Sequence, residues 1–121
     1  MGPGPESALT DAQIQQTLMG EACFSAEVGF VVWDDDRRYI AANASACQIL
    51  GATLSELIGS VVGARTVGGD DAIDAVLRGE AARGRATVTK FDGSGTVTIG
   101  YVSFPTRAAG LPYMASVIWP A

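Results

Sequence analysis

Apolar and polar positions change period several times along the chain, and each change marks an element. The opening Met1-Gly2-Pro3-Gly4-Pro5-Glu6-Ser7 has no period, and residues 1–9 are expected to be disordered or an expression remnant. At Thr10 a helical period begins. Thr10 with Gln13 reads as a capping box, and Ile14, Leu18 and Ala22, flanked by Met19 and Cys23, form one stripe. This spacing predicts an amphipathic helix over residues 10–24, with Gln13, Gln15, Gln16, Thr17 and Glu21 opposite the stripe.

The period then shortens to that of strands. Val28 to Trp33 is an unbroken β-branched and aromatic run, Asp34-Asp35-Asp36-Arg37 supplies turn residues, and Arg38 to Ala42 returns as a second strand. Asn43 reads as the cap of a two-turn helix through Ala46, Ile49 and Leu50 that stops at Gly51. Thr53 and Glu56 repeat the capping box before Leu57, Ile58 and Gly59. A third short helix, capped by Asp70 or Asp71, carries Ile73, Val76 and Leu77 and ends at Gly79, with Asp74 suited to the positive end of its dipole. The last third alternates as β: Ala86 to Phe91, a turn at Asp92 to Gly95, Thr96 to Phe104, a turn after Pro105 through Pro112, and Tyr113 to Trp119.

Composition fits one globular domain with a single core: 121 residues, 48% hydrophobic and 17% charged. Thirteen acids against eight bases, with no Lys/Arg cluster, exclude direct nucleic-acid binding. Seven of those acids precede Arg37 with no Lys or Arg among them, so the front of the chain is negative and the remainder slightly positive. The chain has no histidine, which removes Ser-His-Asp triads and His-ligated zinc or haem. No apolar run approaches the roughly 20 residues that span a bilayer, and no secretory signal pattern opens the chain, so a cytoplasmic protein off the membrane is expected.

In this order, three pieces resemble the opening of a PAS domain: Val28 to Asp34, Ile40 through Asn43-Ala44-Ser45-Ala46 to Gly51, and Leu54 to Gly59. Phe91-Asp92-Gly93-Ser94-Gly95 resembles that family's Asp-Gly hairpin between its long C-terminal strands. The resemblance covers residues 25–119. It implies an α+β fold: a five-stranded antiparallel sheet with short helices packed on one face around a small apolar pocket, the PAS domain occupying residues 25–121. It further implies a sensory, dimerising module that serves an effector such as a kinase, cyclase or transcription regulator. The ending at Trp119-Pro120-Ala121 departs from the Asp-Ile-Thr type of ending that links many members to effectors.

The resemblance also bears on cofactors. Light-oxygen-voltage members place an Asn-Cys-Arg motif where this chain has Ser60-Val61-Val62-Gly63, so Val62 stands at the flavin-adduct cysteine position. Haem-binding members draw a histidine from the helix matching Asp71 to Gly79. Neither Cys23 nor Cys47 sits on the loop that carries a covalent chromophore in photoactive yellow proteins. No cofactor is therefore expected, and what remains is a small apolar or amphiphilic ligand or a filled core. The family's strand parity points Val31, Trp33, Val88, Ile99, Tyr101, Met114 and Ser116 towards the helices, with Cys47, Leu50, Ile73 and Leu77 facing back. Trp33 adds much volume and can fill the ligand's space itself. Its N–H, with the Tyr101 and Ser116 hydroxyls, can otherwise orient the polar end of an amphiphile.

Other residues are assigned to structure. Asp34 to Asp36 lack the Gly and distal Glu of a calcium loop and are expected to form a hairpin turn, so no metal site is expected. Asp and Glu fall on turns and helix starts rather than on pocket-facing strands, which argues against an enzyme. The resulting expectation is a homodimer through Ile14, Leu18, Met19 and Ala22 together with the outer sheet face.

Overall fold

The computed structural model describes residues 8–121, so most of the expected irregular lead over residues 1–9 lies outside the described residues. Helix α1 spans Ala12–Phe24. Its cap is Asp11 rather than Thr10: one Asp11 carboxylate oxygen accepts from the Gln13 and Ile14 N–H groups at 2.9 and 3.2 Å. A carboxylate one residue nearer the helix competes better for the same free N–H groups. None of the residues of α1 is buried.

The domain body follows as β1 (Gly29–Trp33), β2 (Tyr39–Ala42), α2 (Ala44–Leu50), α3 (Leu54–Leu57), β3 (Thr66–Gly69), α4 (Ala72–Leu77), β4 (Ala82–Thr89), β5 (Thr96–Ala108) and β6 (Leu111–Pro120). The strands form one antiparallel sheet in the order β2-β1-β6-β5-β4-β3. It has six strands where five are expected. The addition, β3, is a short edge strand paired to β4 through a bulge between Thr66 and Gly68. Its Gly68-Gly69 pair carries no strand propensity, so pairing to β4 fixes its conformation.

Local chemistry accounts for the helices. Asn43 caps α2 by accepting from the Ala46 N–H, and Gly51 ends that helix at φ +66°. Asn43 is itself buried and makes three further bonds: it accepts from the Phe30 N–H and donates to the Cys23 and Val28 carbonyls. That one amide joins the end of α1, the start of β1 and the start of α2. Both reciprocal bonds of the Thr53–Glu56 capping box hold α3. In α4 Asp71 occupies the cap position without a side-chain bond, and the Asp70 carboxylate bonds chiefly to the Arg85 N–H and the Tyr101 hydroxyl.

The β5–β6 hairpin is longer and its turn tighter than expected. β5 runs through Pro105, which pairs with Met114, and the turn is Ala109-Gly110 at φ +51° and +78°. β4 leaves β5 at the Ala82–Ser103 pair, so Pro105 lies where that strand has a neighbour on one side only and a missing N–H is tolerated. β4 itself starts at Ala82, four residues before the expected Ala86.

Helix α2 packs on β1 and β6, and α4 on β4. The core between these helices and the sheet includes Val31, Trp33, Ala46, Leu50, Leu57, Val76, Ala86, Val88, Ile99, Tyr101, Met114 and Ile118. The outer sheet face is also apolar, with Phe30, Val32, Val102, Phe104, Val117 and Trp119 in the alternate register. The Trp119 indole lies across Gly100, where an added Cβ would strike the ring.

Candidate functional site

Between the inner face of the sheet and the covering segments lies a cavity of about 70 Å³. Nine of the expected pocket residues line it: Val31, Trp33, Leu50, Ile73, Leu77, Val88, Ile99, Tyr101 and Ser116. Met114 and Cys47 do not. Met114 is buried in a separate cleft with Leu77, Pro105 and Tyr113; Trp33 and Leu77 border both spaces. Cys47 packs partly buried against the core, while Leu50, one turn further along α2, reaches the cavity. Burial pushes the Cys47 thiol pKa up, the direction of an unreactive cysteine.

The wall also holds residues that sequence reasoning missed. Val61, Val62, Gly63, Arg65 and Thr66 form one side from the segment before and into β3, and Tyr39, Ala86, Phe91 and Ile118 join from neighbouring elements. Arg65, itself exposed, stacks its guanidinium 4.1 Å from the centre of the Phe91 ring. Ser103 is the most informative omission. It is buried, lines the cavity, and follows Ile99 and Tyr101 at the same period-two parity, a signal that was available.

The polar groups bind to one another. The Trp33 indole N–H donates to the Ser116 hydroxyl at 3.3 Å, and the Ser116 and Ser103 hydroxyls lie 2.6 Å apart. Tyr101 does not join them. Its hydroxyl donates to Asp70 at 2.9 Å, while the other Asp70 oxygen accepts from the Arg85 N–H at 2.9 Å. The carboxylate lies against Gly84, where any Cβ would collide with it. Asp70 is thus a bracing residue between the β3–α4 junction, β4 and β5, in place of the expected helix cap.

Ionisation follows from this geometry. Burial, then the bond to Asp70, pushes the Tyr101 phenol up to about 12, and burial pushes Tyr39 up to about 12. The Arg85 N–H, followed by the Tyr101 hydroxyl, holds Asp70 below the usual carboxylate range. No cavity-lining group with a resolved shift is moved towards neutrality. At the β1–β2 turn the carboxylates of Asp34, Asp35 and Asp36 cluster within 4.8 Å. One Asp34 oxygen accepts from the Asp36 and Arg38 N–H groups, the turn-forming role expected of it.

Comparison with known proteins agrees with this architecture. A family model described as the PAS fold matches residues 24–109. No curated protein matches the chain. The PAS domain of an HTR-like protein from Haloarcula marismortui superposes with a TM-score of 0.72 at 17% identity, covering 90% of this chain and 99% of that one. A domain of the sensory box sensor histidine kinase/response regulator from Geobacter sulfurreducens gives 0.69 at 19% identity, covering 90% and 97%. An RNA-binding light-oxygen-voltage receptor gives 0.75 at 20% identity, covering 99% of this chain but 37% of the receptor. An antiparallel sheet with short helices over one face and a cavity between them defines the α+β class of the domain. The chain belongs to the PAS fold family. Among the described residues no helix is long and apolar enough to cross a membrane.

Proposed function

We propose that the chain is a non-catalytic sensory or regulatory module that forms a homodimer through α1 and relays a signal to an effector domain or partner protein in the cytoplasm. The observation that carries this reading is that α1 leaves its apolar residues in water: Ile14 is 39%, Leu18 48% and Met19 61% exposed. A helix of this length is marginal in water unless an apolar face is covered, and its own domain does not cover it. The outer sheet face of a second copy offers the complement. Phe30, Val102 and Val117 supply half-buried apolar surface, and exposed Arg83 and Arg85 border it, opposite in sign to Glu21 on α1.

A non-catalytic role is supported by the cavity chemistry, since an indole, two serines and phenols near 12 provide no general acid or base for neutral pH. The likeness to a domain of a sensor histidine kinase/response regulator supports the signalling role. Sedimentation equilibrium tests the dimer. The Leu18→Asp/Met19→Asp variant touches exposed residues outside the buried core, so it is expected to fold and sediment as a monomer while the unmodified chain sediments as a dimer. Equal masses for the two overturn the α1 interface.

A second reading is favoured by the cavity itself: a sensor for a small apolar or amphiphilic ligand held among Val31, Trp33, Leu50, Ile99 and Ser116. Native mass spectrometry of freshly purified protein is expected to reveal a co-purified compound, and a spectrum of bare chain alone counts against it.

A further inference from the structure

The hydrogen-bond inventory of the cavity does not balance. Trp33, Ser103 and Ser116 bring three donor hydrogens, one indole N–H and two hydroxyls. Only two bonds join them, Trp33 to Ser116 and the Ser103–Ser116 contact. The indole can only donate, so Ser116 oxygen receives it. If Ser116 then donates to Ser103, the Ser103 proton is left over. If Ser103 donates to Ser116, the Ser116 proton is left over. Either way one hydroxyl proton lacks an acceptor among the described residues. All three residues are buried, at 2%, 2% and 7% exposure for Trp33, Ser103 and Ser116, and all three line the cavity.

From this imbalance we infer that the cavity accepts a compact, uncharged molecule bearing one hydrogen-bond acceptor, a small carbonyl compound, with its oxygen on the Ser103–Ser116 pair. The inference rests on the ligand-sensor reading and names the ligand's class. A charged head and a hydrocarbon each fail on a specific point. A charged head would need a buried counter-charge, whereas Arg65 is exposed and stacked on Phe91, and Asp70 is already bonded to Tyr101 and Arg85. A water can use both the spare hydroxyl proton and the unused lone pairs of Ser103 and Ser116, so it is the occupant that a carbonyl oxygen must displace. A hydrocarbon fills the space and leaves the proton unpaired.

Size narrows the class. A cavity of about 70 Å³ is roughly half the volume that admits benzene, which leaves room for about four heavy atoms. A ketone or aldehyde of that size places one oxygen on the serines and its methyl groups against Val31 and Ile99.

Acetone and 2-methylpropene have the same shape, with oxygen in one replaced by a CH2 group in the other. Each is titrated into the full chain while the Trp33 indole N–H and the Ser103 and Ser116 amides are followed by nitrogen–proton correlation NMR. The expected result is saturable shifts at those three signals with acetone, at a Kd about tenfold lower than for the alkene, the order contributed by one buried hydrogen bond. Equal affinities at those signals would leave the cavity as a ligand site and overturn the acceptor inference. Saturable acetone shifts confined to other residues overturn it as well. No saturable shift from either probe removes both the inference and the ligand reading, and the dimer reading stands on sedimentation alone.

Discussion

The Tyr101 hydroxyl donates to the Asp70 carboxylate at 2.9 Å, joining a strand in the middle of the sheet to the junction between β3 and α4. Asp70 reaches Tyr101 by crossing β4 at Gly84, and Gly84 is suited to that crossing because it has no side chain. The covering segment that bounds the cavity is therefore held by a polar brace as well as by Ile73, Val76 and Leu77.

The brace gives Gly84→Ala a specific signature. The new methyl must displace the Asp70 side chain, which ends the bond to Tyr101. Burial is the larger cause of the raised phenol pKa and persists, so that pKa is expected to fall below about 12 yet stay above the ordinary 10.0. Absorbance titration of phenolate in the variant and the unmodified chain measures this. An unchanged Tyr101 titration would mean the bond contributes nothing.

Stability at high pH is tied to the same residue and to Tyr39. Both folded-state values are raised to about 12 from 10.0, so the neutral phenols favour the fold fully below pH 10. That contribution is lost as pH rises from 10 towards 12. Urea unfolding across this window is expected to show a steep fall for the unmodified chain and a shallower one for Tyr39→Phe/Tyr101→Phe, which has neither group to ionise. Asp70 works in the opposite direction: its value is lowered, so its contribution is present above the ordinary 3.8 and fades as pH falls below it. In Asp70→Asn the deficit relative to the unmodified chain is expected to shrink on acidification through that range.

Asn43 is the most connected polar side chain in the α1–α2 region, with four bonds from one buried amide. Asn43→Ala removes a helix cap and leaves the Phe30 N–H and the Val28 carbonyl without this partner, while the Cys23 carbonyl keeps its bond from the Ala26 N–H. The expected cost is about 3 kcal/mol, a lost cap plus unsatisfied buried groups, measured by urea unfolding. Asn43→Asp keeps both accepting contacts and turns an oxygen towards the Cys23 and Val28 carbonyls, so it is expected to fall between the two. Because Cys23 belongs to α1, either change also loosens the attachment of the proposed dimer helix to the sheet.

Features set by a few adjacent residues were legible in the chain, and features set by distant ones were not. The Asn43 and Thr53 caps, Gly51 and the Asp34 turn depend on contacts within four residues, and each appears where the pattern puts it. Parity along β1 and β5 likewise placed Val31, Trp33, Ile99 and Tyr101 on the cavity. The β3 strand was hidden because Val67 and two glycines take their conformation from β4. Asp70 looked like a cap because its partner Tyr101 is 31 residues away. Met114 has the right parity, but it lies in the neighbouring cleft, which meets the cavity at Trp33 and Leu77, and no period reports that.

The Trp33 indole determines how much the cavity can hold. Trp33 is 2% exposed and borders both the cavity and the neighbouring cleft beside Met114. Replacing it with Val removes part of the wall shared by the two spaces and the bond to Ser116, and large-to-small changes of this kind cost about 3 kcal/mol or more. The lost volume becomes space lined by Val31, Leu77 and Ile99, which suits an apolar ring. Trp33→Val is therefore expected to melt at a lower temperature than the unmodified chain and to regain part of the difference in saturating benzene. The unmodified chain, with a cavity of about 70 Å³, is expected to show no rise with benzene. Equal responses in the two proteins would show that Trp33 does not limit the cavity.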